Sequence, residues 1–311
     1  MNIVIVESPA KAKTINQYLG KDYKVIASYG HIKDLPNEEG LVIPEEDFLI
    51  KFKENKKNIK AVTAIKGSIS NGDTLWLATD ADREGEAISW HIESMLDKAN
   101  KLKNVEVKRV TFNEITKSAI KEAFKNPKEI DLGLVDAYQA RRALDYLFGF
   151  TLSPVLWQTL PRTKSAGRVQ SVALKLLAER EIAIEAFKKE EYWTIETKLI
   201  SNAGIEFIAE LKVLAGKKLK KFDINTKTLA DAALKEISES KLHVDSIEKK
   251  RIKRFPSKPF ITSTLQQEAS RKLGFNAKRT MFIAQDLYRG VDIKGESVGL
   301  ITYMRTDSVT L

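Results

Sequence analysis

TLWLATDADREGEAISW, residues 74–90, passes from apolar to acidic to helical. Leu75, Trp76, Leu77 and Ala78 form an apolar run short enough to be a buried strand. Asp80, Asp82, Glu84 and Glu86 then alternate with Ala81, Arg83 and Gly85, before Ala87, Ile88, Trp90, His91 and Ile92 take up helical spacing. Strand, acidic turn and helix in that order put carboxylates at the carboxyl end of a strand, where open α/β sheets hold their ligands. Acids this close repel, and one pKa rises unless a cation sits among them. Oxygen-only ligands on a short turn suit a hard ion that keeps its waters, Mg²⁺ ahead of Zn²⁺. A capping Asp80 or Asp82 and dipole-complementing glutamates would account for part of the run. Four acids in seven residues exceed that need, which favours the metal.

Outward from this turn, strands and helices alternate. Asn2–Val6 is a β-branched strand, and Ser8 then Pro9 is a helix start, with the helix running to Leu19 and ending at Gly20. Glu7 therefore ends the first strand. Lys11 lies in the first turns of the helix, where a lysine is usually solvated surface unless an anion docks at the helix start. Tyr23–Ala27 is a second strand, and GHIKDLP leads out of it with His31, a loop histidine that could be a ligand or base but more often is neither. The lysines of residues 51–60 read as a solvated face. A helix over 58–69, a strand over 106–111 and a helix over 113–124 complete a parallel α/β sheet up to about Pro127.

From Ile130 to Arg180 the period is helical. VDAYQARRALDYLFGF carries Arg141 and Arg142 side by side, and SAGRVQSVALKLLAERE opens a second helix with Arg168 in its first turn. A cation at a helix start opposes the dipole, so Arg168 faces either a bound anion or a nearby carboxylate. From Tyr192 to Leu214 the period becomes two, a hairpin around Asn202-Ala203-Gly204. A helix over 229–237 and a strand over 243–252 follow, with KKRIKRF as linker surface or a phosphate contact. Two helices, 260–274 and 277–287, precede GLITYMRTDS, in which an apolar run delivers Tyr303 with Arg305 two residues later. On an extended backbone the two face the same side. A guanidinium there favours the phenolate or holds the phosphate it attacks. Taken alone, a core tyrosine beside a surface arginine is the commoner arrangement.

The 311 residues, 43% of them hydrophobic, allow two or more domains with real cores. Lys and Arg outnumber Asp and Glu by 52 to 42, a formal charge of +10, which points first to nucleic acid as partner. The absence of cysteine excludes disulfides and cysteine-based zinc sites within these residues. No run approaches the length of a membrane span, and the N-terminus has no cleavage signature. A cytoplasmic protein without a membrane partner is therefore expected.

Together, VIVESPAKAKTI, TDADREGEAISWH, ARRALDYLFGF, SAGRVQSVA, PFITSTLQQEASRKLGF and GLITYMRTDS resemble the type IA DNA topoisomerases, bacterial topoisomerase I among them, in the family's order and over nearly the whole chain. The stretch from about Tyr192 to Arg254 carries no strong match. The resemblance implies a multidomain α/β and mainly α protein. A toprim domain with a Rossmann-like parallel sheet would span 1–127, with 37–60 packing against a helical single-strand-binding domain, 128–188. A β-rich hinge or arch domain would span 189–256, and the start of a helical tyrosine domain 257–311. It implies that Tyr303 attacks single-stranded DNA to form a 5′-phosphotyrosyl link, that Arg305 and Lys11 stabilise the phosphate, and that Glu7 handles the proton of the leaving 3′-oxygen. Mg²⁺ would be held by Glu7, Asp80, Asp82 and Glu84. Arg141, Arg142, Asp145, Tyr146, Arg168, Gln170, Ser171 and His31 would line the path of the strand. The expected activity is ATP-independent relaxation of negatively supercoiled DNA by a monomer in the bacterial nucleoid. A decatenating topoisomerase III-like enzyme and a non-catalytic single-strand-binding module are the other readings.

Two departures qualify the match. Relatives often carry arginine where Tyr146 stands and tyrosine where Phe150 stands, so Tyr146 would stack on a base rather than read its edge. The chain also ends eight residues after Tyr303. It is therefore expected to be an N-terminal part that binds single strands, relaxes plasmid poorly and holds Tyr303 loosely.

Overall fold

The computed structural model describes residues 1–160 and 162–310. They form two compact units, Met1–Ser171 with Pro256–Leu311, and Val172–Phe255.

The first unit is built on four parallel strands, β1 (Asn2–Val6), β2 (Tyr23–Ala27), β3 (Thr74–Leu77) and β4 (Glu106–Arg109), in the order β2-β1-β3-β4. The register sets Ile5 beside Leu77 and Leu77 beside Arg109, so β1, β3 and β4 finish level with one another. β1 is an unbroken apolar run because helices cover both sheet faces. Side chains alternate between the faces. Val4, Val6 and Trp76 pack with Ile15 of α1 (Pro9–Leu19) and with Ile120 and Phe124 of α4 (Lys117–Lys125). Ile3, Ile5, Leu75 and Leu77 pack with Ile65 of α2 (Ile59–Ser68) and with Ile88 and Ile92 of α3 (Arg83–Lys98).

The helix starts obey local chemistry. Ser8 accepts a hydrogen bond from the Lys11 amide with Pro9 in the first turn, and Asp82 caps α3 by accepting from Gly85. One start differs from expectation: α4 begins at Lys117, capped by Thr116, and not near Asn113. Residues 113–115 stay out of the helix because their carbonyls are engaged elsewhere. Asn113 accepts from the Tyr303 amide at 2.7 Å and Ile115 from the Gly299 amide at 3.2 Å.

α5 (Leu132–Thr159) is a single helix of 28 residues containing Pro154. Its Ala143, Tyr146 and Leu147 pack on Leu35, Leu41, Val42, Ile50 and Phe52. α6 (Arg168–Glu185) follows. α7 (Lys227–Glu239) lies in the second unit, while α8 (Thr262–Leu273) and α9 (Ala277–Arg289) return to the first. After α9 the chain makes a hairpin that the sequence reading missed, Val291–Ile293 with Glu296–Val298, turning at Lys294-Gly295 where both residues have positive φ.

The second unit contains the expected hairpin, Glu196–Ile200 against Glu206–Glu210, and a small core of Ile195, Ile224, Ala230 and Ala233. The strand expected over 243–252 does not form. Val244, Ile247 and Ile252 are exposed, and among the described residues no neighbouring strand supplies the hydrogen bonds an extended segment needs. No helix of the described residues is long and apolar enough to cross a membrane.

Candidate active site

The level ends of β1, β3 and β4 carry the chemistry. Each of the four acids after β3 has its own partner. The Asp80 carboxylate accepts from Lys11 Nζ at 2.6 Å, the same ammonium donates to Glu7 at 2.9 Å, and the Asp80 amide donates back to Glu7. Lys11, expected at the solvated surface, is instead buried, with its Nζ over the rings of Phe112 and Tyr288. Burial disfavours its charge, but Glu7 and Asp80 outweigh burial and hold its pKa above the ordinary lysine value. Burial pushes the Asp80 carboxyl up against the pull of Lys11, and Glu7 and Asp82 add to the rise.

Asp82 serves twice. One oxygen caps α3 through the Gly85 amide at 2.8 Å, and the other accepts the Tyr303 hydroxyl at 2.5 Å. Glu84 accepts from Arg305 Nη1 at 3.2 Å, and that nitrogen is 3.7 Å from Asp82. Gly85 lets the turn close, because a Cβ there would overlap the Asp80 backbone.

Glu86 turns inward onto Arg109, which the sequence reading passed over. Arg109 donates to Glu86 at 2.7 and 2.9 Å and to the carbonyls of Leu77, Thr79, Asp80 and Val110 at 2.7–3.0 Å. It gathers the carbonyls that leave the sheet where β3 and β4 end, which the fan of guanidinium donors suits. The other Glu86 oxygen accepts the Asp131 amide at 2.8 Å, at the start of α5. The only signal for this in the sequence is an arginine inside the apolar stretch at the end of β4.

Tyr303 reaches Asp82 across 221 residues. It is not held loosely: its ring is buried, edge-on to Tyr288 at 5.2 Å, and its amide is fixed by Asn113. The loose placement expected from the end of the chain is therefore corrected, since the β1–β4 unit and α9 supply the packing. Burial, with Asp80 and Asp82 adding, raises the phenol pKa far above that of free tyrosine, and Arg305 opposes the rise. The phenol keeps its proton in this arrangement.

The acids suit Mg²⁺ in donor type. Among the described residues no three His, Asp or Glu side chains gather as a ready ligand set. Asp82 and Glu84 nevertheless converge on one cationic nitrogen of Arg305, and Mg²⁺ is commonly held by one or two carboxylates with water and phosphate completing its shell.

The remaining candidate residues form a second group on α5 and the start of α6. Arg142 pairs with Asp34 at 2.5 Å, while Arg168 and Arg141 share Asp145 at 2.8 and 3.7 Å. The carboxylate alternative for Arg168 is thus the one observed. The Arg168 hydrogen bond holds the Asp145 carboxyl below the usual range. Tyr146 donates to the Glu38 carbonyl and accepts from the Leu41 amide, and its ring lies 4.5 Å from Phe150. Arg142, Asp145, Tyr146, Phe150, Trp157 and Lys164 line a cavity of about 500 Å³. Gln170 bonds the Ser165 carbonyl, and Ser171 bonds within the first turn of α6. His31 stacks on Tyr138 with ring centroids 5.4 Å apart, and burial holds its pKa below the ordinary histidine value.

A family model described as Toprim domain matches residues 2–115, and one described as DNA topoisomerase matches residues 129–311. The chain is 57% identical over its whole length to DNA topoisomerase 1 of Rickettsia bellii (strain RML369-C), covering 39% of that protein. It is 54% identical over its whole length to DNA topoisomerase 1 of Xylella fastidiosa (strain Temecula1 / ATCC 700964), covering 38%. The solved structure of full-length topoisomerase I from Thermotoga maritima superposes with a TM-score of 0.78 at 42% identity, over 99% of this chain and 49% of that one. The chain spans about two fifths of the length of these curated relatives.

Proposed function

This chain belongs to the type IA DNA topoisomerase family, and we propose that it carries the site at which such an enzyme, of the topoisomerase I kind, cuts and rejoins one DNA strand. The observation that carries the proposal is the Tyr303 hydroxyl resting on Asp82 at 2.5 Å, with Arg305 on Glu84 beside it. A nucleophile, a proton acceptor and a phosphate-binding cation stand together at the ends of parallel strands.

In the proposed reaction Tyr303 Oη attacks a phosphodiester of single-stranded DNA, and the bond from phosphorus to the 3′-oxygen breaks. Asp82, already hydrogen-bonded to the phenol, takes its proton. Glu7, bridged to the Lys11 ammonium, handles the proton that the leaving 3′-oxygen gains. Arg305 and Lys11 face the charge that builds on the phosphate oxygens. Arg305 is half exposed, so a phosphate can draw it from the two carboxylates, which brings its charge onto the reacting group. Rejoining runs in reverse, with the 3′-hydroxyl attacking the phosphotyrosine. The link stores the bond energy, so no ATP is needed. Mg²⁺, held by Asp82 and Glu84 rather than by Asp80, which pairs with Lys11, would supply positive charge for rejoining. The strand would run past Arg141, Arg142, Asp145, Tyr146, Arg168, Gln170, Ser171 and His31. In the whole protein these parts would serve relaxation of negatively supercoiled DNA in the bacterial cytoplasm, by a monomer.

The test is a detergent-trapped adduct between the full-length protein and a single-stranded oligonucleotide. A 3′-end label should stay on the protein, a 5′-end label should leave on a fragment ending in a 3′-hydroxyl, and Tyr303→Phe should abolish the adduct. An adduct that survives Tyr303→Phe refutes the assignment.

A further inference from the structure

We infer that a cavity beside Tyr303, walled by the tyrosine's own segment, Phe260, Asn113 and Ala81 of the acidic turn, seats the first nucleotide on the 3′ side of the cut, with the Phe260 ring stacking on its base. This rests on Tyr303 being the nucleophile. The cavity measures about 300 Å³, and Tyr303, Arg305, Phe260, Asn113, Thr302 and Thr306 are among its lining residues. Among the described residues no aspartate, glutamate or lysine lines it, although the same tyrosine touches Asp82. An anionic strand would meet one cation there and no repelling carboxylate.

Cleavage leaves the phosphate on the phenol oxygen with the downstream nucleotide still attached through its 5′-oxygen. That nucleotide must lie within one sugar of Tyr303. Glu7 serves the leaving 3′-oxygen and its partner Lys11 the phosphate oxygens, so the downstream residue needs room elsewhere around the phenol. The cavity provides it, and its walls are tied to the tyrosine segment. Thr262, two residues after Phe260, donates its hydroxyl to the Met304 carbonyl at 2.8 Å and accepts from the Thr306 amide at 3.0 Å. Asn113, also a lining residue, accepts the Tyr303 amide at 2.7 Å through its backbone carbonyl. The seat therefore moves with the nucleophile.

Phe260 follows Pro259 and is 55% exposed on the wall of this cavity. Every base has a π-face, so such a ring holds a base without reading its identity. The asparagine amide and the threonine hydroxyls supply donors and acceptors for the sugar and base edges.

The experiment compares the full-length protein with Phe260→Ala and Phe260→Trp on an oligonucleotide with a single mapped cut, intact or abasic at the first position 3′ of that cut. Adduct yield on the intact strand should fall about tenfold in Phe260→Ala and recover in Phe260→Trp, the size expected for one base–aromatic stack. The abasic strand should cost the wild-type protein a similar factor and cost Phe260→Ala nothing further. An abasic site one position farther along should have no such coupling to Phe260. Losses that multiply instead of merging overturn the proposal while leaving Tyr303 as nucleophile. A wild-type protein that forms no adduct on any strand overturns both.

Discussion

The strand-end site and the arginine-bearing helices both pair positive with negative charge, but at opposite depths. At the strand ends Lys11 and Arg109 are about 1% exposed and their carboxylate partners at most 16%. On α5 and α6, Arg141, Arg142 and Arg168 are 35–40% exposed, and Asp34 and Asp145 are 37–53%. Buried pairs are held in place because losing either member strands the other without water. Half-exposed pairs gain little from one another, so an incoming phosphate can take the place of the carboxylate at small cost. The first region is built to hold geometry and the second to exchange partners. Arg305, 49% exposed against a Glu84 that is 46% exposed, belongs by this measure with the second kind although it stands in the first region. That is the property expected of a cation that must leave its acid for a scissile phosphate.

Breaking the buried side should have the largest effect. Arg109→Ala strands the Glu86 carboxylate and uncovers four carbonyls, and should lower unfolding free energy by about 3–5 kcal/mol in a urea titration. A loss under about 1 kcal/mol would erase the contrast between the regions.

His91 sharpens the same side with a buried ionisable group that has no partner. It is fully buried beside Phe52 and Trp90, and neither ring nitrogen has a hydrogen-bond partner among the described residues. Burial lowers its pKa to about 3, with Lys33 and His31 adding to the fall. The unfolded chain then binds the proton first, so this residue costs stability as pH falls below the ordinary histidine value of 6.5 and goes on costing it down to about 3. The expected slope is up to about 1.4 kcal/mol per pH unit. The pH dependence of unfolding in His91→Leu, subtracted from that of the parent, should show this slope, and parallel curves would contradict it.

The smallest stability effect belongs to the exposed side. Arg142→Gln should change unfolding free energy by less than about 1 kcal/mol. It should nevertheless weaken single-strand binding and reduce the slope of log affinity against log salt by about 0.7, as expected for one lost phosphate contact. An unchanged salt slope would remove Arg142 from the strand's path.

Much of this was legible in the chain. The apolar runs Asn2–Val6 and Leu75–Ala78, the Ser8-Pro9 start and the Asp82 cap are local signals, and they placed Glu7 and the acidic turn at the ends of parallel strands. The strand over 243–252 was misread because alternation shows what a segment could pair with and not whether a partner edge is present. Lys11 and Arg109 were misjudged or missed for a related reason. Lysine and arginine are surface residues by habit, and only acids and carbonyls arriving from other strands make their burial possible.

Residue order alone thus determined the alternation of strand and helix, the carboxylates on the turn after β3, and a tyrosine–arginine pair near the end, because caps, periodicity and residue type act over a few positions. Tertiary structure alone decided which acid meets which partner: Asp80 with Lys11, Asp82 with Tyr303, Glu84 with Arg305 and Glu86 with Arg109. Those pairings join residues far apart in the chain. Their geometry is set by sheet register and by backbone bonds such as Asn113 to Tyr303, and spacing along the sequence carries no trace of either.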